Sequence, residues 1–215
     1  MKRLGLYGCG RLNKIVVDCY KKGLLEGYEI VGCYSKTEES RNAMAQSLNI
    51  EPCNTYDELL DRGVDYIVEA TNPMATKDIL EKTITKGVNV ILLSIGALAN
   101  EEYYEHIKDL CIKNNTKIHL ASGAISGFEV LRTARIMGLT KAGLTNTKGP
   151  RALSRSILYK PEMEDSEVVA FSGSAYNAIQ NLPTGINVGV ATALATMGVH
   201  DTTILISSPH SISIH

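Results

Sequence analysis

Glycines stand at positions 8 and 10 of the stretch "LYGCGRLNKIV" (residues 6–16), an asparagine follows at 13, and His106, His119, His200, His210 and His215 lie further along. Two glycines one residue apart permit a tight turn and let backbone approach an anion closely. If a strand precedes them and a helix follows, the free N–H groups and the dipole of the helix start favour a diphosphate. Gly8 is then the turn residue, Gly10 the point of close approach, and the amides of Arg11 and Leu12 open the helix. The dinucleotide fingerprint asks for a third glycine where Asn13 stands. That glycine serves helix-to-strand packing, so Asn13 is expected to push the helix outward slightly without removing the anion site. The competing explanation is an ordinary turn that needs glycine only for positive φ.

The next strand ends in "CYSKTEE". An acid at that point would hydrogen-bond the ribose 2′-hydroxyl of NAD, whereas a hydroxyl and a cation suit a 2′-phosphate. Ser35 and Lys36 occupy it, which favours NADP or use of both cofactors, although Glu38 or Glu39 could still reach the ribose. Further candidates sit where later strands end: Ala70 and Thr71 in "EATNP", and Ser94 with Gly96 in "LLSIGALA". Open α/β sheets bind ligands at that edge.

The elements that must position these residues follow from hydrophobic patterning. Apolar runs at 3–7, 28–34, 64–70, 88–94 and 117–122 alternate with helical spacing at 12–23, 38–48, 56–62, 74–86 and 101–114. Strands apolar on consecutive positions are buried on both faces, and their alternation with helices implies a parallel, Rossmann-type sheet. After Gly138 the pattern changes: a strand within 139–147, a polar irregular stretch at 151–168, helices near 174–182 and 187–197, and a strand at 202–207. The expectation is an α/β chain with a dinucleotide-binding domain over residues 1–123 and a smaller α+β domain over 124–215, the boundary falling within 123–140.

Composition narrows the class. With 215 residues, 44% hydrophobic, 21% charged and a net charge of -1, the chain suits a globular protein whose partner is a small molecule, with no basic footprint for nucleic acid. Five isolated cysteines suggest reduced thiols, and the absence of paired Cys/His spacing argues against a metal. No signal peptide and no run of about 18 apolar residues is found, so no membrane partner is expected and the cytoplasm is the expected compartment.

Four longer stretches carry a resemblance. "VDYIVEATNP", "GVNVILLSIGALAN", "ASGAISGFEVLRTAR" and "FSGSAYNAIQNLPTGINVGVATALATMG" together resemble the L-aspartate dehydrogenase family, which shares its plan with homoserine dehydrogenase and dihydrodipicolinate reductase. The G-S-A, Leu-Pro and I-N-V landmarks of the last stretch are the most specific. The resemblance implies NAD(P)-dependent oxidation of L-aspartate to iminoaspartate, feeding NAD synthesis, or the reverse reductive amination of oxaloacetate with ammonia. It also implies a homodimer formed through the second domain. Carried onto this chain, it places cofactor contacts at Ala124 and Asn187 and the catalytic histidine at His215, in "ISSPHSISIH". Here Ser213 and Ser208 replace the family's asparagine and acid, the spacing is one residue short, and the second domain is expected to be incomplete at its C-terminal end.

An imidazole suits proton transfer at neutral pH. Of the other histidines, His106 is expected to be solvated, His119 structural within a strand, His200 a helix-end cap, and His210 a fallback base. A substrate with two carboxylates needs cations or amides, for which Lys148, Arg151 beside it and the "SGAISG" turn are candidates; Ser174 is expected to cap a helix. A non-catalytic dinucleotide-binding module, or a related enzyme for another small acid, would share most of these features.

Overall fold

The computed structural model describes residues 1–123, 125–139, 141–182 and 185–209. The chain divides into two compact units, the first made of Met1–Ala97 with Glu102–Ala121, the second of Leu98–Glu101 with the chain from Ser122 onward.

In the first unit, β1 (Lys2–Tyr7), β2 (Tyr28–Tyr34), β3 (Tyr66–Glu69), β4 (Asn89–Leu92) and β5 (Ile118–Leu120) form one parallel sheet in the order β2-β1-β3-β4-β5. Between them run α1 (Arg11–Lys21), α2 (Glu38–Leu48), α3 (Tyr56–Asp61), α4 (Pro73–Thr85) and α5 (Glu101–Lys113). Strand order reverses around β1, so the crossovers on its two sides depart in opposite directions and leave a crevice at the carboxyl ends. Leu6, Ile67, Leu80, Val90 and Leu92 are wholly buried, each contributing about 1.5–3 kcal/mol relative to exposure. Helix starts are fixed locally. Asn72 caps α4 by accepting from the amides of Met74 and Ala75, with Pro73 at the first helical position, and the Thr55 hydroxyl accepts from Glu58 N–H at α3.

The second unit holds α6 (Phe128–Ile136), β6 (Ala142–Thr147), α7 (Pro150–Leu153), β7 (Val168–Ser174), α8 (Ala175–Asn181), α9 (Asn187–Ala195) and β8 (Thr202–Ser208). Its sheet runs β6-β8-β7, with β6 parallel and β7 antiparallel to β8. Along β8, Thr202, Ile204, Ile206 and Ser208 are buried and alternate with more exposed residues, so one face of the sheet packs inward. The apolar helix α9 contacts β6, β8, α6 and α8.

Two elements depart from the sequence expectation. "VVAFSGS" is the strand β7, with a bulge between Val169 and Phe171 where its pairing register shifts. The stretch expected to be irregular, 151–168, contains α7 and a short 3-10 turn at Pro161–Glu164, and it inserts Leu153 and Met163 fully into the core. Ser174 does cap α8, its hydroxyl accepting from Asn177 N–H at 3.2 Å.

Candidate dinucleotide site

The first unit carries a cleft of about 310 Å³ at the carboxyl ends of β1, β2 and β3. It is lined by Gly8, Cys9 and Gly10 after β1, by Ser35, Lys36 and Thr37 after β2, and by Ala70, Thr71 and Asn72 after β3. Six residues singled out in the sequence, Gly8, Gly10, Ser35, Lys36, Ala70 and Thr71, thus meet in one place.

The two glycines differ in what they permit. Gly8 has φ +93°, and a Cβ there would lie 2.6 Å from both the Ala70 carbonyl oxygen and the Thr71 Cγ2. It must be glycine for the turn and for the close packing of β1 on β3. Gly10 is the N-cap of α1 with an ordinary extended backbone, and a Cβ there would meet no protein atom within 4 Å. The space a side chain would fill is open cleft. No side chain caps α1, and no acid occupies its first turn, where Arg11 and Leu12 are exposed. An uncapped helix start facing open space beside a glycine fits a diphosphate.

The Asn13 side chain faces inward from α1. It is fully buried, and its Nδ2 donates to the carbonyls of Gly8 (2.7 Å), Tyr7 (3.2 Å) and Val68 (3.3 Å). The side chain turns inward and joins helix, turn and two strands, doing with hydrogen bonds what the third glycine does by close approach. Because the peptide is planar and trans, holding the Gly8 carbonyl inward aims the Cys9 N–H the opposite way. Asn13→Ala leaves three buried carbonyls without this donor and is expected to cost about 1–3 kcal/mol in denaturant unfolding; an unchanged midpoint would show that the amide carries no stability.

Behind the glycines, Tyr7 stacks on Tyr34 with ring centroids 6.0 Å apart, and its hydroxyl donates to the Ala75 carbonyl at 3.2 Å. Burial, and then the neighbouring Tyr34, push the Tyr7 phenol up to about 12, so it keeps its proton at neutral pH. Cys9 is held below the usual thiol value chiefly by its hydrogen bond with Cys33, which is itself pushed upward by that bond and by burial. At the β2 end, Lys36 Nζ lies 4.0 Å from the Asp78 carboxylate, and both side chains are largely exposed. Such a pair is weak and leaves the ammonium available to a ligand.

Other candidates fall elsewhere. Ser94 is buried rather than open, its hydroxyl donating to Glu69 at 2.9 Å, and Gly96 is buried in a 3-10 turn. Glu69, the residue sequence reasoning missed, is signalled by a single acid in the apolar run "YIVEA". In the second unit, Lys148 Nζ lies 3.8 Å from where a Gly185 Cβ would stand, two residues before α9 begins at Asn187. Arg151 is exposed at the start of α7. His106 is half exposed beside Glu81 at 3.2 Å, and His119 is exposed on the edge strand β5, tilted against Tyr66. His200 caps no helix: α9 ends at Ala195, and the imidazole stacks on Tyr176 (4.6 Å) in the turn before β8. Ala124, His210 and His215 lie outside the described residues.

Fold, switch-point cleft and sequence together define an NAD(P)-dependent dehydrogenase. Residues 8–121 match the family described as the homoserine dehydrogenase NAD-binding domain, and residues 129–214 match the aspartate dehydrogenase C-terminal family. Over residues 8–121 the chain belongs to the first of these families, and as a whole it is similar to L-aspartate dehydrogenases. It is 28% identical to the L-aspartate dehydrogenase of Methanocaldococcus jannaschii, over 91% of this chain and 74% of that protein. It is also 28% identical to the L-aspartate dehydrogenase of Methanosarcina mazei, over 99% and 80% respectively. The crystal structure of aspartate dehydrogenase from Thermotoga maritima shares the fold with a TM-score of 0.78 at 20% identity, covering 99% of this chain and 81% of that one. Among the described residues no helix is long and apolar enough to cross a membrane.

Proposed function

We propose that this protein oxidises L-aspartate to iminoaspartate with NADP or NAD, and runs the reverse amination of oxaloacetate when ammonia is abundant. The observation that carries the substrate is the match of residues 129–214 to the aspartate dehydrogenase C-terminal family. The cleft supports the cofactor. Gly8, Gly10 and the first-turn amides of Arg11 and Leu12 hold the diphosphate, Ser35 and Lys36 the adenosine ribose, and Ala70 and Thr71 the central part. Residues 1–123 form the cofactor domain and 124–215 the substrate and dimerisation domain of a cytoplasmic homodimer whose product feeds NAD synthesis.

The nicotinamide, when bound, accepts the hydride that leaves the substrate Cα. The protein's own tasks are to hold the two carboxylates and to take the ammonium proton. Lys148 beside the start of α9 suits the first task, because an ammonium and a helix start both attract carboxylate. By family resemblance His215 takes the proton, while Ala124 and Asn187 contact the cofactor. The test is production of reduced nicotinamide from L-aspartate compared with L-glutamate, L-alanine and L-homoserine. Equal rates on all four, or none on aspartate, would overturn the substrate assignment.

The β2 end of the cleft, with Ser35, Lys36, Thr37 and Ser40, presents three hydroxyls and one ammonium, which supports a 2′-phosphate. Lys36→Glu is expected to weaken NADP binding about tenfold or more while changing NAD binding less than about threefold. Fluorescence titration with both cofactors checks this, and equal losses for the two would remove Lys36 as the discriminator.

A further inference from the structure

Glu69 ends β3, is wholly buried, and its carboxylate accepts four hydrogen bonds. Oε1 accepts from the Thr71 amide (2.6 Å), the Thr71 hydroxyl (2.7 Å) and the Ser94 hydroxyl (2.9 Å); Oε2 accepts from the Ser94 amide (2.9 Å). Every partner donates, which is the surrounding an ionised carboxylate, an acceptor with no proton to give, requires. Among the described residues no lysine, arginine or histidine forms an ion pair with it. Among the described residues the charge is therefore buried and balanced by dipoles alone.

Fastening the turn after β3 to the turn after β4 does not by itself call for a charge. A neutral acceptor would do that at a smaller desolvation cost. The location supplies a reason. With the adenosine ribose at the end of β2, the rest of a dinucleotide extends across the switch point toward the ends of β3 and β4. Those are the two strand ends that Glu69 joins, and Thr71, bonded to its carboxylate, lines the cleft. A nicotinamide ring is cationic when oxidised and neutral when reduced, so a fixed negative charge beneath that half of the site acts on one form only.

We propose that the buried carboxylate of Glu69 sets the redox-form preference of the site, favouring the oxidised dinucleotide over the reduced one. Amine oxidation consumes that form. The proposal rests on the dinucleotide reading of the cleft and adds a residue whose effect is electrostatic rather than steric.

The test compares dissociation constants of the oxidised and reduced forms of the same dinucleotide, the reduced form by its fluorescence and the oxidised form by calorimetry. Glu69→Gln is expected to weaken the oxidised form and spare the reduced one, moving the ratio of the two constants about tenfold toward the reduced form. Ser94→Ala keeps the charge and removes one hydrogen bond, so both constants can shift but their ratio stays at the wild-type value. If Glu69→Gln melts early, both constants are measured below its melting temperature with wild type alongside, and their ratio is read the same way. A ratio unmoved by loss of the charge, or moved equally by Ser94→Ala, makes Glu69 a fastener and overturns the proposal. Wild-type protein that binds neither form removes the dinucleotide reading itself, and the proposal with it.

Discussion

Gly8→Ala is expected to raise the dinucleotide dissociation constant about a hundredfold, equal to about 2.7 kcal/mol, and to lower folding stability by about 1–3 kcal/mol. The cause is local and twofold. An L side chain is strained at φ +93°, and its Cβ would stand 2.6 Å from the Ala70 carbonyl and from Thr71 Cγ2, too close for either to remain in place. Relief requires β1 and the turn after β3 to separate, and those two adjacent segments both line the cleft. Gly10→Ala separates the binding effect from the folding effect. Its Cβ meets no protein atom within 4 Å and its backbone is extended, so the variant is expected to unfold at the wild-type denaturant midpoint. Its methyl group enters the space a diphosphate would take beside the α1 amides, and binding is expected to fall about tenfold or more. Titration of each variant alongside its denaturation curve checks both statements. A Gly10→Ala protein that binds the dinucleotide like wild type would remove the diphosphate from this turn.

The parallel sheet is legible in the sequence because its strands are apolar on consecutive positions and are separated by helices with clear starts. Asn72 before Pro73 and Thr55 before an acidic turn are signals that the fold uses directly. Strand β7 is not legible for the opposite reason. "VVAFSGS" mixes serine and glycine with apolar residues, and a bulge between Val169 and Phe171 breaks the alternation that would mark a half-buried strand. Its pairing with β8, distant in sequence, decides its state. The glycine turn lines the cleft, and beside it Asn13 has a bonding role that the fingerprint, which treats the third position as a matter of size, does not foresee. The side chain is larger than glycine but finds three carbonyls to bind, a role that size alone does not announce. Ser94 illustrates the converse: its place at a strand end suggests a ligand, but a buried acid one strand away claims its hydroxyl. A lone acid in an apolar strand is a readable request for donors, and the serine and threonine that answer it close the adjacent strand ends.

His215→Ala is expected to lower the turnover of L-aspartate by about 10²–10⁴-fold, the range for loss of a positioned acid–base group, with cofactor dissociation constants unchanged. The reasoning begins with the chemistry. Hydride departure from Cα leaves a carbon–nitrogen double bond only if the nitrogen has first shed a proton, so a base with suitable basicity at neutral pH must face the ammonium. The described histidines are otherwise engaged: His106 faces Glu81, His119 rests against Tyr66 on an edge strand, and His200 stacks on Tyr176. Tyr7, with its phenol pushed up to about 12, keeps its proton at neutral pH. Family resemblance assigns the role to His215, and His210→Ala serves as the matched comparison from the same segment. Rate against pH provides a readout that a purely structural loss would not move: the acidic limb of the wild-type profile reflects protonation of the base and is expected to vanish in His215→Ala. An unchanged profile with unchanged turnover would transfer the role to another residue, and a loss seen only in His210→Ala would identify which one.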